Sequence, residues 1–365
     1  MNNSSAILPK RYFVNLPVDF LLIGGASILL FTIFPYFQDG TRTDRIIEVG
    51  LWLTWIANWP HFAATSFRLY GKREHLRQYP ITAIAAPLLV LAFALGSFAF
   101  PLLVAPLFVK MFLLWSPYHY SGQTLGISLL YGRRAGHRPY KLERFLLASF
   151  IYGTFLMRSL GAEISLQGTS YYGVQVPGLG IPRWLATVFT IWTYSCAILL
   201  FGLVLNNWIK TRKAPPVMYL LPSITQWVWF VVAGAKAGYS EFVPFFHGVQ
   251  YLVIAWAMQV KEESDRLPRA PDRFAIGRIS LRWYIVNACG GALLFFLLPH
   301  AVSRLGISLG LASAVILTAI QIHHFFVDGV IWKLKSSAVI SPLLVNIPSL
   351  LEQPVKMPQA TEAAA

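Results

Sequence analysis

Long runs of apolar residues, apolar on every side, alternate with short polar segments along most of the chain. A helix needs about 20 such residues to cross a bilayer. Ten stretches meet that requirement, near 19–37, 47–67, 81–100, 103–130, 144–162, 184–206, 217–235, 241–260, 281–301 and 307–332. The alternating ten-residue pattern of a membrane barrel strand, the other way to satisfy backbone groups in lipid, is absent. The pattern predicts an all-α, polytopic integral membrane protein of about ten transmembrane helices. Phe100 and Pro101 leave almost no loop between the third and fourth spans, which therefore form a tight hairpin. One helical membrane domain is expected over 1–347. A disordered C-terminal tail is expected over 348–365, where Pro354, Pro358 and a run of alanines offer nothing to bury. The first apolar run is too long for a signal-peptide core and is expected to remain as a span.

Composition agrees: 56% of the 365 residues are hydrophobic and 12% are charged, about half the charge of a soluble domain. The net charge of +15 changes the picture only once it is placed. With the N-terminus inside, 23 of the 30 basic residues fall on inner segments. Arg42, Arg45, Arg183, Lys236 and Arg304 fall outside, and Lys110 and Arg158 lie within spans. This is the positive-inside distribution, and it predicts that both termini are cytoplasmic. A basic chain also suggests nucleic acid, but that needs one concentrated patch, so no nucleic-acid partner is expected. The setting is an integral membrane, the plasma or inner membrane in a bacterium. Cys196 and Cys289 both lie inside spans and suggest neither a disulfide nor a thiolate site.

Five of the eight histidines fall inside spans: His61, His119, His247, His323 and His324. They lie on the second, fourth, eighth and tenth spans, which run in the same direction. Each precedes a basic inner end by 7 to 14 residues (Arg68, Arg133, Lys261 and Lys333). At ~1.5 Å per residue that sets them at similar depth, roughly 10–20 Å from the inner face. His75 and His137 belong to inner loops and are expected to be solvated, and His300 to be interfacial. Asp328 shares a helical face with His324 and is the one carboxylate expected well inside; Asp19 and Glu241 sit at span ends. Polar neighbours at spacing three or four include Asn58, Thr65, Gln123, Gln250 and Tyr251. Pro60, Pro117 and Pro244 stand just upstream of three of the histidines and are expected to kink their helices.

Ionisable side chains are costly in lipid and mark functional sites. A lone intramembrane histidine is more often a hydrogen-bonded core residue than a ligand, but five at one depth beside a carboxylate form a set. Imidazoles with one carboxylate and no thiolate suit non-haem iron, with copper, zinc, manganese and haem left open. The expected metal ligands are His61, His119, His247, His323, His324 and Asp328. Adjacent His323 and His324 point about 100° apart, so one could stand behind the other. Asn58, Gln123 and Gln250 are expected to orient the imidazoles, and Tyr251 and Asp328 to act in catalysis. Asp328 could instead pair with Arg158 or Lys110.

No HxxxH or HxxHH box of the membrane desaturases and hydroxylases is present, and haem-copper oxidases place their histidines on helices in a different order. The isolated histidines His61, His119, His247 and His323–His324, on separate helices of a compact multi-span chain, resemble the Brp/Blh family of membrane carotenoid-cleaving dioxygenases in general plan. That resemblance implies an iron-dependent oxygenase. Independently, the chain carries no Gly-rich dinucleotide fingerprint and no cysteine framework for iron–sulfur. A dioxygenase needs no steady supply of electrons. A monooxygenase or desaturase would need an acidic electron-donor protein steered to the basic cytoplasmic face. The expected function is a non-haem iron oxygenase or oxidase acting on a hydrophobic, lipid-soluble substrate: a polyene, isoprenoid or acyl chain. The alternatives are a proton-coupled transporter or lipid flippase using the same residues as a relay, and a bis-His haem electron-transfer protein. The outer loop at 163–182 reads equally as a lid, a partner surface or a connector.

Overall fold

The structure, a computed structural model, describes residues 11–34, 43–233, 238–332 and 342–352. Helices α1 (Leu16–Ile33), α2 (Thr43–Ile56), α3 (Asn58–Tyr70), α4 (Arg73–Gln78), α5 (Ile81–Ala99) and α6 (Val104–Arg134) follow one another. After α7 (Lys141–Ala162) comes a small antiparallel hairpin, β1 (Thr169–Tyr171) and β2 (Val174–Val176). Then follow α8 (Arg183–Thr211), α9 (Val217–Val232), α10 (Val243–Arg266), α11 (Arg273–Ser303), α12 (Leu309–Ile331) and the short α13 (Ile347–Leu350). Among the described residues seven helical segments are long and apolar enough to cross a membrane: α1, α5, α7, α8, Tyr239–Arg266, α11 and α12. This is the build of a multi-pass membrane protein. Its outer surface carries large apolar side chains such as Leu88, Ile191, Ile198, Phe201 and Leu281, as lipid contact requires.

Over their described residues all ten apolar stretches are helical, but three depart from a simple span. The second breaks at Ala57 (φ −125°), giving α2 and α3. The break precedes Pro60, which cannot donate to the Ile56 carbonyl; that carbonyl accepts from the Tyr284 hydroxyl at 2.9 Å instead. α10 comes close at the same place: a Cβ on Gly248 would lie 2.9 Å from the Ala57 carbonyl. The fourth, α6, is 31 residues long with Pro117 inside it and carries buried polar residues among its apolar ones, and the seventh, α9, is short. The turn at 100–103 between α5 and α6 is as tight as expected. Of the three prolines expected to kink their helices, Pro60 stands just after the break at Ala57 and Pro117 lies inside α6. Pro244 instead falls in the first turn of α10, where a missing N–H costs nothing.

The helices sort by burial. Only 17% of the apolar window of α8 is buried, against 72% for the segment containing α10 and 56% for α12. α3, α10 and α12, with the middle of α6, form the centre; α5, α7, α8 and α11 pack around it. α11 approaches α3 at Gly291, where a Cβ would meet the Trp59 carbonyl carbon at 2.6 Å. Small residues at such contacts let helix backbones come close.

The two ends of α6 are fastened differently. At the Arg134 end, the buried guanidinium donates to the carbonyls of Arg11, Tyr12, Leu343 and Val345. It thereby ties the segment before α1 to the segment after α12. Asp19, at a span end as expected, is wholly buried beneath this clamp. It accepts from the Phe13 and Val14 amides and the Tyr131 hydroxyl. At the Val104 end, Lys110 donates to both oxygens of Glu163 at 2.6 and 2.7 Å, and Glu163 also accepts from the Leu179 amide. The 163–182 loop is therefore pinned, and its hairpin buries Val174 and Val176 against α6 and α12.

Other expectations also change. Asp328 is not the only buried carboxylate: Asp19, Glu143 and Glu163 are buried too, each at a helix end with its own partners. His137 is not simply solvated, since its Nε2 lies 2.7 Å from Glu143. His75 reaches the Arg68 carbonyl and His300 the Phe296 carbonyl. The tail expected from 348 begins as α13, capped by Asn346 and anchored by buried Leu350. Residues 353–365 lie outside the described residues, as do Lys10, Arg42, Lys236, Lys333, Lys335 and Lys356 among the counted charges. Cys196 and Cys289 are separate free thiols.

Candidate metal centre

Four helices deliver one imidazole each to the buried centre. α3 supplies His61 from its first turn, just beyond the break at Ala57. α6 supplies His119, one position past Tyr118 and two past Pro117. α10 supplies His247, beside the glycine that permits the close approach to α3. α12 supplies His324. The ring of His61 lies 4.4 Å from that of His324 and 5.1 Å from that of His247, and the ring of His119 lies 4.7 Å from that of His324 and 5.4 Å from that of His247.

The nitrogens and Asp328 converge more closely. Nε2 of His119 and Nε2 of His324 are 3.1 Å apart. Asp328 Oδ2 lies 3.3 Å from the latter and 3.8 Å from the former. One ligand atom from each of His61, His119, His324 and Asp328 lies within 4.8 Å of all the others. Four donors held at about 2.0–2.2 Å in tetrahedral geometry stand roughly 3.3–3.6 Å apart. The separations among His119, His324 and Asp328, 3.1, 3.3 and 3.8 Å, bracket that spacing.

The hydrogen-bond accounting points the same way. Both nitrogens of His61, both of His247 and Nδ1 of His324 are buried without a hydrogen-bond partner. Each orphaned polar atom costs about 1–3 kcal/mol, and such groups in a well-packed interior call for an explanation, an ion among them. His247 is outside the four-atom set but abuts it, with Tyr120 stacked on its ring at 3.7 Å. Phe62 and Phe325 wall the cluster, at 4.6 Å from His324 and His119 respectively.

Asp328 is held by residues of three helices. Its Oδ1 accepts from Trp332 Nε1 at 3.2 Å and lies 3.2 Å from Thr65 Oγ1, which is itself 2.5 Å from the Tyr251 hydroxyl. Neither expected ion pair forms: Lys110 is engaged by Glu163, and Arg158 is exposed. Arg68 instead lies 5.4 Å over the Trp332 ring and binds Glu262 at 3.0 Å. Tyr251 stands against His61 at 4.2 Å between ring centres.

Two expectations fail at this site. His323 is not brought to the cluster; the 100° step that aims His324 inward turns it away, and its Nε2 lies 2.9 Å from the Tyr70 hydroxyl. Asn58, Gln123 and Gln250 bond no imidazole nitrogen among the described contacts. Gln123 donates to the His247 carbonyl, Gln250 donates to the Ile23 carbonyl, and the amide of Gln123 reaches Gln250. Asn58 Oδ1 is buried without a partner. These amides tie helices together rather than set tautomers. The residue missed was Trp332, which stands four positions after Asp328 and so on its face.

Beside His119 and Asp328 opens a cavity of about 310 Å³ walled chiefly by aromatic and aliphatic side chains. Comparison of the chain with family models, with curated proteins and with solved structures finds no match.

Proposed function

We propose that this chain is a membrane metalloenzyme, a non-haem iron oxygenase or oxidase acting on a lipid-soluble substrate. One observation carries it: His61, His119, His324 and Asp328 converge from three helices in a dry core, and imidazole nitrogens there lack protein partners. A neutral imidazole offers one N–H and one lone pair, and lone pairs gathered around one point without donors suit a cation. Three imidazoles and a carboxylate without thiolate favour iron, with copper, zinc and manganese as the other ions of that ligand type. The rings pack edge to face at 4.4–5.1 Å around His61, which leaves no flat slot for a haem.

When bound, the iron would supply activation of O₂. The chain's residues do the rest. Thr65 and Trp332 fix Asp328, as ligand-orienting partners do. Tyr251 keeps a hydroxyl at the cavity wall, bonded through Thr65. Phe325 and Trp115 keep water from the cluster. Electrons, where the reaction requires them, would come from an acidic carrier at the basic face. The same proposal includes ten spans with both termini cytoplasmic. It is supported by the Arg134 clamp, which puts both described chain ends on the side of Arg68, Arg133 and Lys261.

The test is metal analysis of the detergent-purified full chain after loading with ferrous iron. About one ion per chain is expected, with loss in His119→Ala and His324→Ala. Folded wild-type protein that retains no stoichiometric metal overturns the proposal.

A further inference from the structure

The cavity beside the cluster has a shape that narrows the substrate. One wall follows α6 from Trp115 to Leu130, about four helical turns. His119 and Asp328 stand toward the Trp115 end, and Leu343, from the segment held by Arg134, contributes at the other. Between them the wall includes three glycines. Gly122 and Gly126 lie one turn apart on α6, and Gly329 contributes from α12. A Cβ at Gly126 or Gly329 would meet nothing within 4 Å, and one at Gly122 only the Tyr152 hydroxyl at 3.6 Å. These glycines are therefore not demanded by helix packing, unlike Gly248 and Gly291. In mid-helix each costs up to about 1 kcal/mol relative to alanine, and what it leaves here is free width. Gly122, Gly329 and Tyr118 are the exposed members of the wall, so the cavity opens sideways rather than along the bundle axis.

We propose that this slot binds a single extended acyl chain, entering laterally from the bilayer. Gly126 and Gly329 set its width, and one chain carbon comes to rest against the His119–Asp328 end. Volume bounds how much of a chain is enclosed. At a volume per methylene of the order of a liquid water's, roughly 30 Å³, 310 Å³ takes in about ten carbons, and the rest of a longer chain stays in the bilayer through the lateral opening. The width left by three glycines suits an unbranched chain. The buried Oε1 of Gln123, unpartnered on the cavity wall, is an acceptor that no hydrocarbon satisfies, so it would meet a hydroxyl if the chain is oxygenated there. As a statement about substrate this rests on the metal-centre proposal, but the binding itself can be measured without metal.

The probe is cis-parinaric acid, an eighteen-carbon fluorescent fatty acid, with energy transfer from tryptophan in the full-length protein in detergent. Trp115 and Trp332 line the slot and would serve as donors. Saturable transfer is expected, displaced by saturated fatty acids whose potency climbs with length to roughly ten carbons and then flattens, and not displaced by β-carotene. Gly126→Leu and Gly329→Leu should each weaken binding roughly tenfold or more while metal content stays at the wild-type level. Gly202→Leu, outside the cavity, serves as the control for fold. Unchanged parinaric acid binding in both glycine variants, or displacement by β-carotene in preference to fatty acids, overturns the acyl slot even if metal is bound. Acyl binding that behaves as expected in protein holding no metal keeps the slot and removes the enzyme.

Discussion

The chemistry turns on which way single side chains point. Adjacent His323 and His324 are chemically equal in the sequence, yet only His324 meets Asp328, at 3.3 Å, while His323 meets Tyr70. His323→Ala should therefore leave metal content unchanged. Trp332→Phe removes the indole donor to Asp328 and should weaken metal affinity by about 10–100-fold, the usual effect of losing such a partner. Titration with a competing chelator separates the two variants, and equal losses in both would contradict the assignment. The histidines were legible because ionisable groups are rare inside spans. The buried roles of Asp19 and Arg134 were not, because both stand at helix ends, where sequence cannot separate a clamp from an exposed charge. Nor could the amides Gln123 and Gln250 be resolved: a polar residue at spacing four from a histidine faces the same way, but its partner is chosen by the neighbouring helix.

Among the helices, the apolar pattern located every long segment, and what it missed was how the segments meet. The break at Ala57 stands three residues before Pro60, which cannot donate to the Ile56 carbonyl. The close approach there of Gly248, nearly two hundred positions later, is a contact no local pattern contains. That contact brings His61 and His247 within 5.1 Å. Gly248→Val places branched carbon against the Ala57 carbonyl and should destabilise the bundle by about 1–3 kcal/mol, the range for overpacking. It should also spread the two histidines, so metal loss ought to exceed what the fall in thermal stability explains. A variant with normal melting and normal metal would show that the helices do not rely on this approach.

For the molecule as a whole, the scarcity of charge is what makes its buried charges informative. Lys110 with Glu163 pins the outer hairpin, and Arg134 gathers four carbonyls from both ends of the described chain. Arg134→Ala should release residues 342–352 and free Leu343 from the end of the cavity. Rapid proteolytic cutting within that segment is expected, with a loss of roughly 3 kcal/mol or more given several hydrogen bonds to a charged group. Arg134→Lys should rescue little, because an ammonium lacks the planar fork. Wild-type resistance to cutting in the alanine variant would refute the clamp.

The proposed ligand set would also impose an order on biosynthesis. His61 emerges from the ribosome long before His324, with more than 260 residues between them. Until the helix carrying His324 and Asp328 has inserted, the earlier imidazoles have neither the carboxylate nor the closest nitrogen, and a metal has nowhere to settle. Capture of the ion would thus mark the end of assembly. A chain stalled before that last helix should emerge without metal and should be recognisable as unfinished.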